Sequence, residues 1–109
     1  MPLPLDTPTM EDLRMQRDEI LRIAEAHGAS NVRVIGSVAR GDAIPESDID
    51  LLVDFDRAVS GFEFFGRWED LRRALEGLLG RPVDVIESGG LKYSRERVRS
   101  RILGEAVPL

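Results

Sequence analysis

Asp48 and Asp50 stand one residue apart in the run SDIDLLVDF, and the pair Gly36-Ser37 precedes them with ten residues between. Acids are depleted in β-strands, and an unpaired buried charge is costly, so two of them in an apolar run need compensation. Successive side chains of a strand alternate between faces. Asp48, Asp50 and Leu52 therefore share one face, and Ile49, Leu51 and Val53 share the other. Asp84, in PVDVIE, lies in a second short strand and faces away from Val83 and Val85. If the two strands are neighbours, three carboxylates converge, and like charges at close range raise one another's pKa values. The usual compensation is a hard divalent cation. Mg²⁺ takes oxygen ligands, typically a few carboxylates together with substrate phosphates. Two such ions, about 3.5–4 Å apart, can clamp the attacking and leaving oxygens of a phosphoryl displacement.

Gly36-Ser37 supplies the complement. The pair follows the β-branched run NVRVIG and opens a short turn or helix. Glycine permits close backbone approach there. The N–H groups that follow and the Ser37 hydroxyl can hold phosphate oxygens at a helix N-terminus. Arg40 is a further cation nearby, of the type that pairs with phosphate through two nitrogens.

The segment GSVARGDAIPESDIDLLV resembles the signature of the DNA polymerase β-like nucleotidyltransferase superfamily, and within it the minimal nucleotidyltransferase group. The resemblance extends over nearly the whole chain, through the acid of PVDVIE to the ending RILGEAVPL. It implies a polymerase β-like (palm-like) fold, with metal ligands at Asp48, Asp50 and Asp84 and a nucleotide grip at Gly36 and Ser37. The role of Arg40 follows less directly. It further implies two Mg²⁺ ions, ATP as substrate, and an AMP group passed to a hydroxyl. The implied acceptor is a tyrosine on a HEPN-domain toxin, which this chain would silence as an antitoxin. Two rivals stand beside that reading: an antitoxin that acts by binding alone, and an antibiotic-type nucleotidyltransferase that modifies a small molecule. The intact acids count against the first, and the lack of a second domain to wall a small acceptor counts against the second.

Taken singly, these residues have ordinary readings. Gly-Ser is a common turn pair, Asp48 could cap a turn after Ser47, and Asp84 could be a solvent-facing acid of an edge strand. Asp50, inside the apolar run, resists such a reading, and the whole pattern points to a site.

The elements that must position these groups follow from periodicity. Pro2, Pro4 and Pro8 make residues 1–8 an extended lead-in, and residues 9–109 form the domain. Thr9 caps a helix with Glu11 and Asp12 in its first turn; Leu13, Ile20, Leu21 and Ala24 line one face, and Gly28 ends it. His27 fits the cation-favouring end of that helix. A helix over Ser60–Leu79 carries Phe62, Phe65, Leu71, Leu75, Leu78 and Leu79, and is stopped by Gly80 and Pro82. Trp68, Phe64 and Phe65 read as core or docking surface, not as a base-stacking platform. A last helix spans Ser94–Glu105, with Val98 and Ile102 inward. Interleaved helices and strands predict an α/β fold, a small mixed sheet flanked by helices.

The chain of 109 residues is 42% hydrophobic and 32% charged, has no cysteine and carries −5. A disulfide scaffold and a thiolate metal site are excluded. No apolar run approaches a membrane span, and MPLPLDTPTM has no signal-peptide pattern, so the expectation is a cytoplasmic protein. The acidic balance argues against direct nucleic-acid binding. From Ser88 onward the charge is +3, leaving −8 on the first 87 residues. Arg95 and Arg99 of that tail fall on one helical stripe. The single tyrosine, Tyr93, falls in a loop after SGG.

Overall fold

Thr9 opens the first helix through a capping box: its Oγ1 accepts from the Asp12 N–H (3.1 Å) and its own N–H donates to Asp12 Oδ2 (3.3 Å). In the computed structural model, which describes residues 6–56 and 61–109, the expected single helix is two: α1 (Met10–Met15) and α2 (Arg17–Ala26), broken at Gln16. The break lets Leu13 and the Ile20/Ala24 face reach one core. It also sends Arg14 and Arg17 to the C-terminal carbonyls of Pro108 and Leu109. His27 caps α2 as expected, its Nδ1 within 2.8 Å of the Ile23 carbonyl.

Strand β1 (Ala29–Ile35) runs into the short helix α3 (Gly36–Arg40), and strand β2 (Ile49–Phe55) follows. Helix α4 (Gly61–Leu79) then crosses to strand β3 (Val83–Glu87). A 3₁₀ helix (Ser88–Tyr93) takes the place of the expected loop and carries Tyr93 exposed. Helix α5 (Glu96–Glu105) and a two-residue strand, β4 (Val107–Pro108), complete the chain. The expected start of the long helix at Ser60 lies outside the described residues.

The sheet is mixed, in the order β3-β2-β1-β4. β2 pairs antiparallel with β1 and parallel with β3, and β4 pairs antiparallel with β1. The parallel pair needs a crossover, and α4 supplies it. Alternation along β2 is as the sequence requires. Ile49, Leu51 and Val53 join Leu13, Ile20, Ala24, Leu71 and Leu75 in the main core. Leu52 turns the other way and packs with Ile35, Leu91 and Ile102 beneath α5 and the 3₁₀ helix. β2 is thus covered on both faces, and Asp50 lies on the α5 side.

Two aromatic placements differ from expectation. Phe62 (96% exposed) and Phe65 (63%) are off the core stripe of α4. Phe64 packs edge-on against Phe55 instead, with ring centroids 5.1 Å apart. Among the described residues, no helix is long and apolar enough to cross a membrane.

Candidate active site

Register brings the acids together. Asp50 of β2 lies opposite Asp84 of β3 in the parallel pair, and opposite Ile35 of β1 on its other side. Neighbouring strands keep paired residues on one face, so Asp50 and Asp84 are side by side, and Gly36 begins where Ile35 ends. Asp48 is exposed and precedes β2 rather than lying within it. The strand starts late because Ser47 closes a turn: its hydroxyl accepts from the Ile44 N–H (2.9 Å), and its N–H donates to the Ile44 carbonyl (2.9 Å).

The Gly36-Ser37 turn is locked to this face. Gly36 has φ +74°, the left-handed region that favours glycine. A side chain there would also overlap the Asp50 carboxylate. Two independent constraints thus demand glycine beside this half-buried acid. Ser37 is half-buried, and among the described residues its hydroxyl has no hydrogen-bond partner.

The structure adds a fourth carboxylate. Glu105, the last residue of α5, accepts from the Gly36 N–H (3.1 Å) and from Arg40 Nη1 (3.0 Å). Arg40 also donates to Asp42 through Nε (3.2 Å), so this guanidinium is held by protein acids and its pKa is raised, first by the Glu105 hydrogen bond. A glutamate at a helix C-terminus opposes the helix dipole. That local conflict was the available signal that Glu105 has a tertiary partner.

Burial raises the Asp50 pKa, and the charges of Asp84, Asp48 and Glu105 raise it further against the lowering effect of Arg40. The donor set consists of carboxylate oxygens alone, which suits a hard divalent cation, and such a cation would reverse the electrostatic penalty on Asp50. Among the described residues, no three acids or histidines are drawn together tightly enough to form a ready-made cage. A cavity of about 420 Å³ is lined by Leu13, Ile49 and Arg81, on the side of β2 away from Asp50. On the acidic face Asp48 and Asp84 are exposed and Asp50 is half-buried, which suits a substrate that brings its own bulk and phosphate ligands.

The nucleotidyltransferase domain family matches residues 14–107. The protein adenylyltransferase MntA of Thermococcus cleftensis is 39% identical over 85 residues, which are 78% of this chain and 79% of that one. A solved structure described as a minimal nucleotidyltransferase is 42% identical, with a TM-score of 0.71 over 94% of this chain and 97% of the other. A toxin–antitoxin structure solved with AMP-PNP shares the fold at 19% identity, with a TM-score of 0.62 over 84% and 69%. The acids and the glycine-serine turn stand within the matched span, and the chain belongs to the nucleotidyltransferase domain family, as an enzyme of its minimal group.

Proposed function

We propose that this enzyme transfers AMP from ATP to a tyrosine hydroxyl of a HEPN-domain toxin and thereby acts as its antitoxin, in the cytoplasm. The observation that carries the site is the lock between Gly36 and Asp50, with Asp84 alongside in register. It brings the Gly36-Ser37 turn beside the acids, which supports reading the turn as the phosphate grip of the same site. The names of the relatives, a protein adenylyltransferase and a toxin–antitoxin solved with an ATP analogue, support the nucleotide and the partner.

Asp48, Asp50 and Asp84 would hold Mg²⁺, which when bound neutralises the triphosphate and polarises the phosphorus under attack. Ser37 offers its hydroxyl to the phosphate oxygens. The acceptor oxygen attacks the α-phosphorus, the bond from that phosphorus to the bridging oxygen breaks, and pyrophosphate leaves in line. The acceptor proton passes to a carboxylate of the site or to solvent. Arg40 can join the phosphates only if its link to Glu105 opens, because Glu105 and Asp42 hold it.

That same engagement favours one rival, an antitoxin that neutralises by binding alone. Intact-mass spectrometry of the toxin after incubation with this protein and Mg-ATP separates the two. Transfer predicts one or more adenylyl groups on the toxin, lost with Asp50→Asn. An unmodified toxin that is nevertheless inhibited equally by wild type and Asp50→Asn would establish the binding-only reading.

A further inference from the structure

Arg81 stands between α4 and β3, three residues before Asp84, and its side chain crosses to the loop that delivers Asp48. Nη1 donates to the carbonyls of Pro45 (2.7 Å) and Ser47 (3.1 Å), and Nη2 donates to that of Asp6 (2.8 Å). The next residue, Pro82, accepts from the Ile49 N–H at 3.0 Å. The backbone is therefore gripped immediately before Asp48, at the Ser47 carbonyl, and immediately after it, at the Ile49 N–H. Both grips come from the dipeptide Arg81-Pro82. Asp48 is itself exposed and outside the ladder, and within the described residues no other side chain from a distant element binds residues 44–48. The partners of Arg81 among the described residues are neutral carbonyls rather than carboxylates, so its rigid fork acts here as a brace.

We infer that Arg81 is a positioning residue for Asp48: it fixes the exposed acid relative to Asp84 by tying the loop before β2 to the entrance of β3. The inference rests on the metal-holding role proposed for these acids. A lysine presents one rotating ammonium instead of a planar fork, so it can hold the same carbonyls only in part.

The test compares wild type, Arg81→Met and Arg81→Lys by Mn²⁺ titration in the presence of a non-hydrolysable ATP analogue, and by amide hydrogen exchange. Residues that orient a metal ligand typically change metal affinity about 10- to 100-fold. Arg81→Met is expected to weaken Mn²⁺ binding by about 10-fold or more, with Arg81→Lys between it and wild type. Exchange should quicken at Ser47–Ile49 and stay unchanged at Leu51–Val53. Unchanged Mn²⁺ affinity in Arg81→Met, or loss of protection throughout the sheet together with weakened binding, overturns the inference and leaves the metal reading intact. If wild type binds no Mn²⁺, the metal reading itself fails and the inference with it. Should Arg81→Met not fold, Arg81→Lys decides by the same two measurements.

Discussion

Gly36 answers to backbone and neighbour at once, and the two demands can be separated experimentally. Gly41 has nearly the same conformation (φ +81°) but no atom within 4 Å of the place a Cβ would occupy. Gly41→Ala is therefore expected to cost only the left-handed penalty, about 1–2 kcal/mol. Gly36→Ala meets the Asp50 carboxylate as well, and should cost about 1–3 kcal/mol more from crowding. Urea denaturation measures the difference, and a transfer assay should find Gly36→Ala inactive and Gly41→Ala active. Equal destabilisation by both would refute the contact. At this scale the sequence was informative where a residue defied its surroundings, as acids do in an apolar strand. For Glu105 it offered only the local conflict of an acid at a helix C-terminus, and it did not name the partners, Gly36 and Arg40, which lie 69 and 65 residues away. It also missed that Arg40 is committed to protein carboxylates.

Elements reveal why some periodicities misled. Aromatics at positions 62, 64, 65 and 68 offer more than one helical stripe, and the choice depends on Phe55, which no local pattern can locate. The stripe through Phe64, Trp68, Leu71 and Leu75 wins because it meets Phe55 and the sheet. β4 escaped notice because two residues make no period. Trp68 also donates its indole N–H to the Val85 carbonyl at 2.7 Å, fastening α4 to the outer strand that bears Asp84. Trp68→Phe keeps most of the packing and loses that bond, so stability should fall by about 1 kcal/mol in chemical denaturation; an unchanged midpoint would refute the tie. Asp54 fastens another junction. Ser88 and Asn31 donate to its carboxylate, and Arg33 pairs with it at 2.7 Å, so β1, β2 and the 3₁₀ helix meet there. Burial alone would raise the Asp54 pKa, but hydrogen bonds from Ser88 and Asn31 and the charge of Arg33 bring it below its ordinary value. A lowered folded pKa stabilises above the unfolded value, about 3.9, and that stabilisation is lost as pH falls through the folded value. Asp54→Asn should therefore lie below wild type in stability at pH 7, and the gap should close in strong acid. A gap that persists or widens on acidification would contradict this assignment.

Across the whole molecule, charge and openness act together. The fold class was legible because strand and helix periods alternate along the chain, and the parallel β2–β3 pairing follows from the crossover. The meeting of β1, β2, β3 and α5 at one acidic face was legible only in part, since it depends on long-range register. That face gathers Asp48, Asp50 and Asp84, from the first 87 residues that together carry −8, with Glu105 from the last 22 residues, which carry +3. A bare nucleotide triphosphate would be repelled by such a surface, and a divalent cation makes its binding favourable. The whole fold should register that event, because a ligand that binds only the native state stabilises all of it. At a free concentration 100 times its Kd the gain is about 2.7 kcal/mol. For a domain near this size each kcal/mol shifts Tm by about 4–8 °C, so the expected rise is about 10 °C or more. Magnesium or ATP alone should give much less, since each meets only part of the site. Asp50→Asn should abolish the joint shift. Trp68→Phe, which touches no proposed ligand group, should melt lower yet keep the shift. A wild-type melting curve indifferent to saturating Mg-ATP would refute the nucleotide site, and a shift that survives Asp50→Asn would place it elsewhere on the molecule.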